Sequence, residues 1–174
     1  SGAAVPDELL SGTLYKNGPA LFARGGQPYA HWLDGDGYVT SLRINSDGTA
    51  TWSGRYVATS AFSEEAEADS VLYRTTFGTQ KPGGVLANLL DIKLKSPANT
   101  NVLPLGGGDE PDTLLALWEA GPPFALDPES LVCRGPTDLG GRLRLAGRGH
   151  GALPGTSSQR WLDSLLEALG LLTD

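Results

Sequence analysis

The chain has no methionine, one cysteine and two histidines. A single cysteine, Cys133, excludes an intrachain disulfide and a thiolate zinc cage. It reads as a small apolar residue in a strand over 131–134. No apolar run approaches the ~20 residues a membrane helix requires, and no signal-peptide pattern is visible. The 13 basic residues stand against 20 acidic ones, for a net charge of −7. Nothing gathers the basic residues into a patch, which argues against nucleic-acid binding. No glycine-rich stretch ends in Gly-Lys-Ser/Thr, so there is no phosphate loop. The absence of a Gly-x-Ser-x-Gly elbow argues against an α/β-hydrolase. The chain begins Ser1-Gly2-Ala3, which suits a processed mature product or an internal piece, and a cleaved targeting peptide would fit.

What is abundant is turn chemistry. The 174 residues contain 24 glycines and 12 prolines, as expected where many turns join short strands in one ordinary domain. Between 12 and 39, Asn17-Gly18-Pro19, Gly25-Gly26 and Asp34-Gly35-Asp36-Gly37 punctuate short apolar runs, a pattern of β-sheet structure with specified loops. Tyr38–Asn45 and Thr49–Val57 alternate apolar and polar residues around Ser46-Asp47-Gly48, which predicts a β-hairpin. Gly54 within its second strand predicts a bulge or a close backbone approach. Pro6-Asp7-Glu8 can start a short helical turn. Val71–Phe77, Asn101–Leu105, Thr113–Trp118 and Leu131–Arg134 read as further strands. Gln80–Gly84 reads as a turn, Val85–Leu94 as a short helix and Gly106–Asp112 as a long hairpin loop. Ser63–Asp69 is an acidic run expected to be a solvated loop or short helix.

The composition changes beyond Gly141. Residues 142–155 form a Gly/Arg-rich linker. From 156 to 174 an amphipathic helix is expected, with Thr156 and Gln159 spaced as a capping box. Trp161, Leu162, Leu165, Leu166 and Leu169 make its apolar stripe. That stripe would either cover the chain's own sheet or dock on another protein.

Asp34-Gly35-Asp36-Gly37 opens like a calcium loop, but Asn45 stands where the closing carboxylate would be needed. A structural turn is the better reading. The same segment carries a family signature. Residues 12–39, then Phe77-Gly78-Thr79-Gln80, Leu94-Lys95-Ser96-Pro97-Ala98-Asn99-Thr100-Asn101 and Leu115-Ala116-Leu117-Trp118-Glu119, resemble in order the amino-terminal motifs of the carotenoid cleavage oxygenases. The resemblance covers roughly residues 5–141 and only the first part of that family.

This resemblance implies a mainly β fold: partial, truncated blades of a seven-bladed β-propeller, with short helices and the C-terminal amphipathic helix. In the family, four histidines from different blades hold Fe(II), and outer carboxylates orient the imidazoles. Glu119 matches one such carboxylate, and Thr100 a residue near the open coordination face. His31 is not at a ligand position. His150, 31 residues after Glu119, lies about where the first iron histidine is expected. Its context, Arg148-Gly149-His150-Gly151-Ala152, departs from the family's Ala-His-Pro. Two histidines cannot make a site of four, so no cofactor is expected on this chain alone, and Fe(II) only if further blades complete it.

A few blades without the rest expose apolar flanks and strand edges. The expectation is therefore a non-catalytic structural subunit of a larger assembly. Its partners would be protein chains covering the open flanks, through the Trp161–Leu169 helix. The family's pigments suggest a photosynthetic pigment–protein complex, such as a photosystem, in a plastid or a cyanobacterial cell, with thylakoid association. One alternative is a fragment of an iron-dependent carotenoid or apocarotenoid dioxygenase. Another is a carotenoid-binding module, with Phe22, Trp32, Trp52 and Phe124 lining a polyene groove.

Overall fold

The structure, a computed structural model, describes residues 5–84, 94–107, 110–141 and 143. The chain is mainly β, with one α-helix and two antiparallel sheets that share one core among the described residues. Sheet I takes β1 (Thr13–Leu21), β4 (Asp36–Ile44) and β5 (Ala50–Tyr56) in the order β1-β4-β5. Sheet II takes β6 (Asn101–Gly107), β7 (Glu110–Leu117), β8 (Phe124–Leu126) and β9 (Cys133–Pro136) in sequential order. A small ribbon, β2 (Ala23–Arg24) with β3 (Gln27–Pro28), leaves the end of β1. Helix α1 (Ser60–Ala68) follows β5.

The hairpin expected around Ser46-Asp47-Gly48 is present. Leu42 pairs with Trp52 and Ile44 with Ala50, and the Gly48 N–H donates to the Asn45 carbonyl at 3.0 Å. Its register runs without a shift, so Gly54 marks no bulge. It marks a close approach: a Cβ there would lie 2.5 Å from the Tyr38 hydroxyl. Gly25 and Gly26, at φ 55° and 76°, form the two-residue turn between β2 and β3, the geometry that right-twisted hairpin strands favour. Asp7–Leu9 forms the short turn expected after Pro6.

Several expectations fail for physical reasons. Asn17-Gly18-Pro19 is no turn but part of β1, whose edge position leaves proline's missing N–H without cost. Val71–Phe77 is not a strand. Arg74 forms only an isolated bridge to Leu94, and the chain then turns so that the Phe77 and Thr79 amides can donate to Asp34. The loop expected over 106–112 is shorter, because Gly107 already pairs with Glu110. The last strand begins at Cys133, not Leu131, which adopts φ 59°. β8 lacked a visible alternation because it has only three residues. The helix expected over 85–94 lies, apart from Leu94, outside the described residues, as do nearly all of the 142–155 linker and the whole 156–174 helix.

The core lies between the two sheets. Val39 and Val57 meet Leu114, Ala116, Phe124 and Leu126, with Tyr15, Val102 and Cys133 packed at the margin. Burial pushes the Cys133 thiol up, consistent with its packing role. Polar ties fix the sheets' register. The Asn17 side-chain amide donates to the carbonyls of Ala98 and Asn101 at 2.8 and 2.9 Å. Tyr15 donates to Pro128 O at 3.0 Å.

Beside this core is an ionic cluster whose lysine and two carboxylates are fully buried and whose tyrosine is half-buried. Lys95 Nζ lies 2.7 Å from Asp36 Oδ1, 2.7 Å from Glu65 Oε2 and 3.0 Å from the Tyr29 hydroxyl. Tyr29 donates to Asp36 Oδ2 at 3.0 Å, and Glu65 Oε1 accepts from the Leu72 and Tyr73 amides at 2.9 and 3.2 Å. Within the acidic run expected to be solvated, Glu65 is therefore an exception, with no exposed side chain. Burial alone would lower the Lys95 ammonium, but Asp36, Glu65 and Tyr29 outweigh it and hold it above its ordinary value. Burial pushes Asp36 up, with Lys95 pulling it back.

Removing the cation strands buried Glu65 and leaves Asp36 with Arg24 Nη2 at 3.7 Å and the Tyr29 hydroxyl. Lys95→Met is expected to cost about 3–5 kcal/mol in urea unfolding. Because the folded-state value of Lys95 is raised, its contribution is complete at neutral pH. It should disappear only as pH rises above 10.5, visible as an alkaline loss of stability that the variant lacks. At the surface, Asp127 accepts from the Ser130 and Glu129 amides and from Arg134. These bonds, those of Ser130 first, lower it from 3.8 to about 2. A carboxyl NMR titration should find that midpoint, with the turn's stability lost as pH falls through it.

Candidate functional site

Where the 94–101 segment passes between the sheets, it brings Thr100 to the turn after β7. The Thr100 amide donates to Leu117 O at 3.0 Å, setting its side chain opposite residue 119. There the Thr100 hydroxyl donates to Glu119 Oε2 at 3.0 Å. The two residues singled out from the sequence, 19 apart, are thus a hydrogen-bonded pair. Both line a cavity of about 400 Å³ whose wall also includes Trp32, Phe77, Pro97 and Trp118.

Each wall has a local cause. Trp32 sits in a 3-10 turn, Trp32–Asp34, capped by His31, whose Nδ1 accepts from the Leu33 amide at 3.1 Å. The His31 ring stacks on Phe77 and Trp32, with centroids 5.1 and 5.7 Å apart. Asp34, buried at the end of that turn, accepts from the Phe77 amide at 2.9 Å and the Thr79 hydroxyl at 2.7 Å. Asn99 anchors the opposite side, donating to the carbonyls of Leu33 and Gly35. The calcium-like tetrapeptide is therefore structural, its first half closing the 3-10 turn and its second half opening β4. Asp34 and Asp36 face separate networks, one amide and hydroxyl, the other ammonium and phenol.

The wall combines aromatic and aliphatic residues with polar ones, among them Asp34, Lys95 and Asn99 besides the Thr100–Glu119 pair. Aromatic walls with a few placed polar groups suit a largely apolar ligand. A carboxylate has about four lone-pair sites, more than the Thr100 hydroxyl alone fills. Iron does not fit what is described here. Among the described residues no group of three or more His, Cys, Asp or Glu side chains converges as a metal site. His31, the histidine among them, uses Nδ1 as a cap acceptor. His150 lies outside the described residues. Of the four aromatics expected to line a groove, Trp32 does so, Phe22 and Trp52 are exposed elsewhere, and Phe124 is core.

Sequence reasoning took Asp34 and Asp36 as parts of a structural turn but missed their partners, and it missed Glu65 and Lys95 as buried structural groups. Their partners lie across the fold, and no periodicity marks a buried ion. Comparison with known proteins decides the ancestry. The sequence profile of the Retinal pigment epithelial membrane protein (RPE65) family matches residues 3–157. The chain belongs to this family, that of the carotenoid cleavage oxygenases. It is 44% identical over 142 residues to the apocarotenoid-15,15'-oxygenase of Synechocystis, covering 82% of this chain and 28% of that protein. It is 38% identical over 141 residues to the chloroplastic carotenoid cleavage dioxygenase 7 of Oryza sativa, covering 78% of this chain and 22% of the relative. A solved structure of a Synechocystis apocarotenoid oxygenase mutant superposes with a TM-score of 0.75 at 42% identity, over 82% of this chain and 28% of that one. The chain thus spans about a quarter of the relatives' length. Among its described residues no helix is long and apolar enough to cross a membrane.

Thr100 and Glu119 are exposed, so their bond holds the site's shape rather than the fold's. Thr100→Val should change unfolding free energy by no more than about 0.5 kcal/mol, measured by urea titration. A loss several times larger would make the pair structural.

Proposed function

We propose that the chain forms the amino-terminal part of an iron-dependent carotenoid or apocarotenoid cleavage oxygenase. Thr100 and Glu119 stand beside the reacting centre, and further blades bring the iron-binding histidines, with His150 as this chain's own candidate to join them. The observation that carries this reading is the Thr100–Glu119 hydrogen bond on the wall of an aromatic cavity. In this arrangement Glu119 orients an imidazole N–H from a ligand histidine, and Thr100 holds the carboxylate's rotamer. Trp32, Phe77 and Trp118 give an apolar ligand a dry surface beside that point. The blades belong to a partial propeller. The relatives, one chloroplastic and one cyanobacterial, suggest a plastid or a cyanobacterial cell interior.

A second reading keeps the chain as a structural subunit without chemistry. The observation favouring it is the large apolar side chains that remain at the surface, including Leu14, Trp32 and Trp52. Such side chains call for cover by another chain.

A chimera separates the two: residues 5–141 replace the corresponding stretch of the Synechocystis oxygenase. Near-stoichiometric iron and cleavage of an apocarotenoid are expected. Glu119→Gln should lower kcat/KM or iron affinity by about 10–100-fold. A chimera that folds, holds iron and binds the carotenoid without cleaving it, and is indifferent to Glu119→Gln, would remove the catalytic reading.

A further inference from the structure

Asn17 is an unexpected residue where it stands. Asparagine is depleted in strands, yet Asn17 lies within β1, on the face that also turns Tyr15 toward the core. A polar side chain on such a face is tolerated where it finds hydrogen-bond partners. Asn17 finds two carbonyls of one short segment. Its Nδ2 donates to Ala98 O at 2.8 Å and to Asn101 O at 2.9 Å. Asn17 Oδ1 is buried without a donor among the described residues, so the side chain is anchored through its nitrogen.

Those two carbonyls bracket Asn99 and Thr100. Ala98, fully buried, adopts φ 47°, in the left-handed region that a residue with a Cβ avoids. A bend of this kind persists where its surroundings hold it. The Gly37 amide holds the entry, donating to Pro97 O at 2.8 Å, and Leu117 O accepts from the Thr100 amide at 3.0 Å. The Asn17 amide spans the bend itself, from two residues before Thr100 to one residue after it. Asn17 also lines the same cavity as Thr100 and Glu119.

We propose that Asn17 is a positioning residue of the candidate site, clamping the carbonyls of residues 98 and 101 so that the Thr100 hydroxyl is aimed at Glu119. Its consequence for cleavage rests on the oxygenase reading above. Without the clamp, Asn99 and Thr100 rotate, and the hydroxyl no longer fixes the carboxylate. The rate of reaction suffers more than the binding of an apolar ligand, whose surface comes from Trp32, Phe77 and Trp118. Aspartate in place of Asn17 keeps the shape but sets an oxygen against two carbonyl oxygens. Serine is too short to reach both.

Asn17→Asp and Asn17→Ser test this, first without reference to activity. In the 174-residue chain, the vicinal NMR couplings of the Thr100 methyl group report its χ1 angle. One rotamer is expected in the native chain and an average over rotamers in both variants, with cooperative urea unfolding retained. Averaging already in the native chain overturns the proposal, as does a rotamer that neither variant disturbs. Loss of cooperative unfolding in both variants also overturns it, since Asn17 would then hold the fold and not the site. The chimera supplies a second measurement. There Asn17→Ser should lower kcat about tenfold or more and change KM less than about threefold. In a Thr100→Val background the same substitution should cost less than about twofold, because its effect passes through that hydroxyl. Equal losses with and without the Thr100 hydroxyl overturn the proposal. A chimera that cleaves nothing, with Thr100 freed in both variants of the chain, would sink the catalytic reading and leave the clamp standing.

Discussion

Four groups that repel an apolar interior, Lys95, Asp36, Glu65 and Tyr29, hold this structure together by satisfying one another. Lys95 comes from the segment that crosses between the sheets, Asp36 from the start of β4, Glu65 from α1 and Tyr29 from the loop after the small ribbon. Neither the lysine nor either carboxylate is tolerable there alone, because an unpaired buried charge costs several kcal/mol. The cluster therefore does more than add stability. It makes the positions of four chain segments conditional on one another. An apolar replacement of equal volume could be as stable, but it would not discriminate so sharply against a misplaced α1 or a slipped 94–101 segment.

The candidate site inherits that order. The segment that begins with Lys95 runs on through Pro97 and Asn99 to Thr100, so the cluster sets the starting point of the chain that delivers the threonine to Glu119. Asn99 then ties it to the Leu33 and Gly35 carbonyls, and Asp34 ties the Phe77 loop to the same turn. The cavity wall is held by side chains bonding to backbone on neighbouring loops. Its aromatic residues are consequently positioned by groups that never touch a ligand.

Local patterns made part of this visible in the amino-acid order. The 36–56 hairpin was legible because two alternating runs flank a three-residue turn. Thr100 and Glu119 were legible because they lie inside family motifs. Other features depended on distant partners. Glu65 looked like any glutamate of an acidic run, since its lysine is 30 residues away. Val71–Phe77 has strand composition, yet the Asp34 carboxylate claims its amides for a turn. Asn17-Gly18-Pro19 carries turn residues, but an edge strand accepts them. The iron ligands were not legible as a set, and His150 lies outside the described residues.

Gly37 has the farthest reach. A methyl group on its α-carbon would sit 2.3 Å from the Ala98 carbonyl oxygen and 2.7 Å from that of Pro97, while its own amide donates to Pro97 O at 2.8 Å. Main chain rests directly on main chain here, with no side chain between to act as a cushion. The spacing between β4 and the threonine-bearing segment is therefore fixed by covalent dimensions rather than by packing volume. A change of side-chain size in the hydrophobic core leaves that main-chain contact untouched, so the cavity's spacing does not follow from the volume of the aliphatic residues beneath it.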